Sequence, residues 1–80
     1  MIISALVVTL SPQPSDRAAA MAAITRDSRL TTGDVVGDRW PVVAETESAT
    51  QGAELCDALG GQPGVVRVDV VAIDFSLEYA

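Results

Sequence analysis

The segment PGVVRVDVVAIDF, residues 63–75, constrains the fold more than any other part of the chain. Successive side chains of a strand point to opposite faces, so counting by two separates its surfaces. One series is Val66, Val68, Val70 and Ala72, and the other is Val65, Arg67, Asp69, Val71, Ile73 and Phe75. Neither is a polar row facing water. Strands apolar on both faces suit a parallel sheet sandwiched between helices, but that layout needs more chain than 80 residues. The sequence must build a smaller sheet, and one apolar face is left to be explained.

The other elements follow from the same kind of reading. Residues 2–10, IISALVVTL, are rich in β-branched side chains and predict a first strand. Its two series, Ile2, Ser4, Leu6, Val8, Leu10 and Ile3, Ala5, Val7, Thr9, are again both largely apolar. SPQPSD breaks that strand, and Pro14 or Ser15 opens a helix over residues 15–27. Ala18, Met21, Ala22 and Thr25 form its packed stripe, with Asp16 and Arg17 on the other side. Gly37-Asp38 predicts a hairpin turn between strands at about 30–36 and 39–46. Pro41 removes one ladder donor from the latter, and Gly33 marks a bulge in the former. Ser48-Ala49-Thr50-Gln51 matches the S-x-x-Q capping box of a second helix. Gly52, Leu55, Cys56 and Leu59 line its apolar stripe, opposite Glu54 and Asp57. GGQPG ends it, with Gly60 or Gly61 as the cap, and residues 76–80 read as a loose tail after the last strand.

The order β-α-β-β-α-β predicts an α+β, ferredoxin-like domain spanning residues 1–80, a four-stranded antiparallel sheet with two helices on one face. Strands one and three take the centre. The helices leave the other sheet face open. The expected register puts Leu6, Val8, Val43, Val71, Ile73 and Phe75 on that open face, and Ile3, Ala5, Val7, Val66, Val68 and Val70 under the helices. An exposed apolar sheet marks a contact surface. Glu45 and Asp69 share it, and carboxylates take arginine as a two-pronged pair, so an amphipathic basic segment is a fitting ligand. Alternatively each acid pairs with a neighbour such as Arg67 or Arg39, or simply faces water. Trp40 packs under a helix or sits near the hairpin end of the sheet.

Composition narrows the function further. The net charge is −6, and all five basic residues are arginine, which argues against nucleic acid and against an acidic membrane surface. With no histidine there is no Ser-His triad and no imidazole metal ligand. Cys56, the only cysteine, excludes an internal disulfide and a thiolate zinc site, and it reads as a core residue. Nucleotide-binding glycine loops are absent. The expectation is a non-enzyme without a cofactor. The apolar run at residues 2–10 is far shorter than the roughly 20 residues of a membrane span and lacks a basic leader, so the chain reads as soluble and cytoplasmic.

Three segments carry a resemblance. ISALVVTLSP, WPVVAETES and LGGQPGVVRVDVVAIDF are similar, in order and spacing, to the NapD family of small cytoplasmic assembly chaperones, over about residues 2–76. The resemblance implies a ferredoxin-like fold and binding of the twin-arginine signal peptide of the catalytic subunit of periplasmic nitrate reductase, delaying export until cofactor insertion. It maps the family's first strand to Ser4, Leu6 and Val8 and its third-strand acid to Glu45. Members often carry a Tyr-His pair where this chain has Ala72-Ile73, and a longer tail, so contacts by those groups are not carried over. The expected peptide-binding residues are therefore Ser4, Leu6, Val8, Val43, Glu45, Asp69, Val71 and Ile73, on a monomer or weak dimer. The rival expectation is a dimeric regulatory or interaction module whose open sheet face meets a second copy.

Overall fold

A computed structural model describes residues 1–74; Phe75 and the tail expected at residues 76–80 lie outside the described residues. The elements are β1 (Ile2–Leu10), α1 (Pro14–Thr25), β2 (Leu30–Thr32), β3 (Arg39–Thr46), α2 (Ala49–Gly60) and β4 (Val65–Asp74). The strands form one antiparallel sheet in the order β2-β3-β1-β4, so β1 and β3 are central and the fold is ferredoxin-like. No helix among the described residues is long and apolar enough to cross a membrane.

Local chemistry accounts for the element ends. Ser48 caps α2, its hydroxyl accepting from the Gln51 amide at 3.2 Å. The return bond of the box is displaced by one residue, from the Glu47 amide to the Gln51 side-chain oxygen. Gly37 has φ +62, and Val36 and Arg39 exchange both backbone hydrogen bonds across it, which closes a two-residue hairpin. Between that bridge and the Thr32–Val42 pair, residues 33–35 face only Trp40 and Pro41. The extra residue lies in the stretch that Gly33 opens, and it limits β2 to three residues. Arg17 reaches from α1 to this turn, pairing with Asp38 at 2.6 Å and donating to the Gly37 carbonyl.

The face of α1 differs from the expected one. Ala20 and Ile24 are buried and Met21 is partly buried, while Ala18, Ala22 and Thr25 are exposed. Ile24 is the bulkiest branched residue of the helix, and burying it removes more apolar area than burying Ala22 and Thr25. At the other end of α1, Gly64 (φ +92) enters β4 against the first turn. A Cβ at Gly64 would stand 2.1 Å from the Asp16 carbonyl oxygen and 2.9 Å from the Ala20 methyl.

The register of β1 is the reverse of the expected one. Ser4, Leu6, Val8 and Leu10 are buried, while Ile3, Ala5, Val7 and Thr9 are half-buried on the other face. Leu6, Val8 and Leu10 join Trp40, Val42 and Ala44 of β3, Ala20 and Ile24 of α1, and Leu55 and Leu59 of α2 in a single core. One cluster drawing on both helices means that both cover the same sheet face. Side-chain size decides which series is buried, because Leu6, Val8 and Leu10 offer more apolar area than Ala5, Val7 and Thr9. Trp40 accordingly packs under the helices, and its indole N–H donates to the Gly33 carbonyl at 2.9 Å.

Two slips in the pairing of β4 with β1 leave Val66 and Val71 without an opposite residue. Each extra residue inverts the alternation of faces. Val65, Val68, Val70 and Ile73 lie opposite Leu10, Val8, Leu6 and Ser4, on the helix side, whereas Arg67, Asp69, Ala72 and Asp74 lie opposite Thr9, Val7, Ala5 and Ile3. Ile73 therefore leaves the open face, and Val66 is not under a helix. The doubly apolar strand is an edge strand, and its Val66, Val70, Val71 and Ile73 remain 64%, 47%, 62% and 49% exposed.

Candidate functional site

The open face is a grid of four rows, because directly paired residues share a face. The middle rows run Thr31, Val43, Ala5, Ala72 and then Pro41, Val7, Asp69. One flanking row is Glu45, Ile3, Asp74, and the opposite one is Arg39, Thr9, Arg67. The surface is thus an apolar floor with acids at one end and arginines at the other. Ile3 and Thr9 are six residues apart on β1, so the two ends are about 20 Å apart.

The two expected acids are not equivalent. The Asp69 carboxylate takes the Arg67 Nε–H at 3.0 Å along its own strand, as the alternative reading of that acid had it. Both groups are substantially exposed, so the pair adds little stability, but it occupies the carboxylate. The Glu45 carboxylate makes no hydrogen bond or ion pair among the described residues, while its amide is tied to the Arg29 carbonyl at 2.9 Å. Beside it, Asp27 holds Arg29 with two side-chain contacts of 3.0 and 2.6 Å and one from the Arg29 amide of 2.9 Å. The hydrogen bond from the Arg29 side chain, against the opposing effect of burial, holds the Asp27 carboxyl below its ordinary range. Arg29 is therefore already matched, and the nearby Glu45 charge is available to an arriving cation.

Of the expected peptide-binding residues, Val43, Glu45 and Asp69 lie on the open face, and Val71 is exposed in a bulge beside it. Ser4, Leu6 and Val8 do not; they are 5%, 1% and 0% exposed on the helix side of the sheet, where Ser4 lines the groove described below. Ile3, Ala5, Val7, Pro41 and Ala72 stand in their place. The signal that identifies them is the greater bulk of the even-numbered β1 side chains, which the single polar Ser4 disguised.

Ile73 belongs to a second feature on the opposite side. There Val70 and Ile73 of β4 and Ala49, Ala53 and Cys56 of α2 line an apolar groove of about 300 Å³. Burial, and secondarily the neighbouring Asp57 charge, push the Cys56 thiol above its ordinary range, so it stays protonated and packs as a small apolar group. Among the described residues, no three His, Cys, Asp or Glu side chains converge to hold a metal ion.

Comparison of this chain with protein-family models, curated proteins and solved structures gives no match.

Proposed function

We propose that this chain is a non-catalytic, cytoplasmic chaperone that binds a twin-arginine signal peptide, that of the catalytic subunit of periplasmic nitrate reductase, across its open sheet face. The observation that carries this reading is the apolar floor of Ile3, Ala5, Val7 and Val43 ending at the unengaged carboxylate of Glu45. A peptide with paired arginines followed by an apolar stretch matches that polarity. Its arginines meet Glu45, where a carboxylate accepts a guanidinium in two parallel hydrogen bonds. Its apolar part runs over Ala5 and Val7 toward Thr9. A span of about 20 Å seats a helix of about 13 residues, at 1.5 Å per residue. The similarity of three segments to the NapD family supports the same reading, and the −6 charge favours a cationic partner.

Calorimetric titration with the synthetic signal peptide tests it. Binding should weaken when the peptide arginines become lysines, because the two-pronged contact is lost, and weaken again as salt rises. Glu45→Arg should lower affinity by roughly tenfold or more, and by more than Asp69→Arg, whose carboxylate is already engaged. Absence of binding heat at micromolar protein, or full affinity in Glu45→Arg, would overturn the proposal.

A further inference from the structure

The two edges of the sheet are treated differently. β2 is three residues long, a short edge that offers little to another chain. β4 is ten residues long, carries neither proline nor lysine, and exposes valine and isoleucine on both faces. Among the described residues its outer edge has no partner strand in the sheet. Bulges blunt a sheet edge, and here the slips at Val66 and Val71 bracket a regular stretch, residues 67–70, that stays open to pairing with another strand.

Its sequence specifies which strand. Residues 65–71 read VVRVDVV, which is symmetric about Val68 once arginine is matched with aspartate. Placed antiparallel to a second copy with Val68 opposite Val68, the strand sets Arg67 against the partner's Asp69, and Asp69 against the partner's Arg67. Any shift of that register loses both charge pairs, and a shift of two residues sets Arg67 against the partner's Arg67 or Asp69 against the partner's Asp69.

The backbone agrees with the same centre. The Leu10 amide points to β3, donating to the Asp38 carbonyl, and the next amide, of Ser11, points to β4, donating to the Gly64 carbonyl. Amide direction alternates along a strand, so Thr9 and Val7 also point to β4, toward their opposites Arg67 and Asp69. Val68 and Val70, between and after them, must turn their N–H and C=O groups outward. Val68 opposite Val68 is then a hydrogen-bonded pair, with each residue both donating and accepting. The Arg67–Asp69 pairs fall at the adjacent positions, where opposed side chains stand closest. Both acids and bases of this segment lie on the open face, so four alternating charges would sum to zero there despite the −6 of each chain.

We infer that the β4 edge is a homodimer interface, two copies joining through a symmetric β4–β4 ladder centred on Val68. The product is an eight-stranded sheet with all four helices on one side and both open faces on the other. Dimerisation uses the edge and leaves the face proposed for the peptide uncovered, so the two readings stand or fall separately.

Sedimentation equilibrium of the full chain at about 0.15 M salt, from about 10 µM to about 1 mM, tests this inference. The mass should rise from 8.3 kDa toward twice that value. Arg67→Asp and Asp69→Arg should each weaken self-association by roughly ten- to a hundredfold, since two pairs turn from attraction to repulsion. Both sites are exposed, so each variant should keep the wild-type circular dichroism. An equimolar mixture of the two variants should form a heterodimer, because every opposed pair is again unlike. A wild-type mass fixed near 8.3 kDa overturns the inference, as do single variants that dimerise like wild type or a mixture that stays monomeric.

Discussion

Val7 and Val8 are neighbours on β1, and the same isosteric change at each asks which face of the strand is the core. Val8 is fully buried among the side chains beneath the helices, whereas Val7 stands half-buried on the open face between Pro41 and Asp69. Valine to threonine keeps the shape and replaces one methyl by a hydroxyl. At position 8 that hydroxyl enters the apolar core between Trp40 and Val68, with the β1 backbone already bonded into the sheet. Burying a hydroxyl without a good partner costs about 1–3 kcal/mol. At position 7 the hydroxyl reaches water, and the cost should stay within about 0.5 kcal/mol. For a domain of this size each kcal/mol moves the thermal midpoint by roughly 4–8 °C. Val8→Thr should therefore unfold at least about 4 °C below wild type, with Val7→Thr close to wild type. Thermal and urea unfolding, followed by circular dichroism and by the fluorescence of buried Trp40, provide the measurement. Equal losses at the two positions, or a larger loss at Val7, would refute the register and move the open face to the other side.

Further outcomes follow from individual contacts. Gly64→Ala should destabilise by about 2 kcal/mol or more, because the new methyl collides with the Asp16 carbonyl and the residue must keep positive φ; urea midpoints would show it. The Cys56 thiol should alkylate slowly at neutral pH and react faster only well into the alkaline range, since burial raises its titration; a timed thiol assay across pH checks this. Asp27→Asn should lower stability by under about 1 kcal/mol at pH 7, since its partner Arg29 is solvent-exposed and the ion pair lies at the surface. The Asp27 carboxyl is depressed in the folded state, so its contribution is present above the ordinary carboxylate range and is lost as pH falls through the lowered value. The gap between Asp27→Asn and wild type should close on acidification.

The element order and the topology were legible because their signals are local. Runs of β-branched residues, the Ser48 cap, the Gly37 turn and the Gly52–Leu55–Leu59 spacing each act within a few residues. The register was not local. In β1 both alternating series are apolar, so polarity gives no vote and relative bulk decides, against the suggestion of buried Ser4. In β4 the strict period of two fails at Val66 and Val71, and nothing in a run of valines marks where an extra residue will sit. Val43 and Glu45 do lie on the expected open face, since β3 keeps its alternation without a slip along Arg39–Thr46. Asp69 could equally meet a ligand, pair with a neighbouring arginine or face water, and only the geometry of β4 selects the pair with Arg67.

The central claim is that a peptide lies on the open face with its arginines at Glu45. Backbone amide chemical shifts of the isotope-labelled protein, followed during titration with the signal peptide, test it most directly. The account predicts that the largest changes fall at Ile3, Ala5, Val7, Val43 and Glu45, with little change at Leu55 and Leu59 behind the sheet. Changes concentrated instead along Ala49, Ala53, Cys56, Val70 and Ile73 would place the ligand in the groove of α2 and β4 and contradict it.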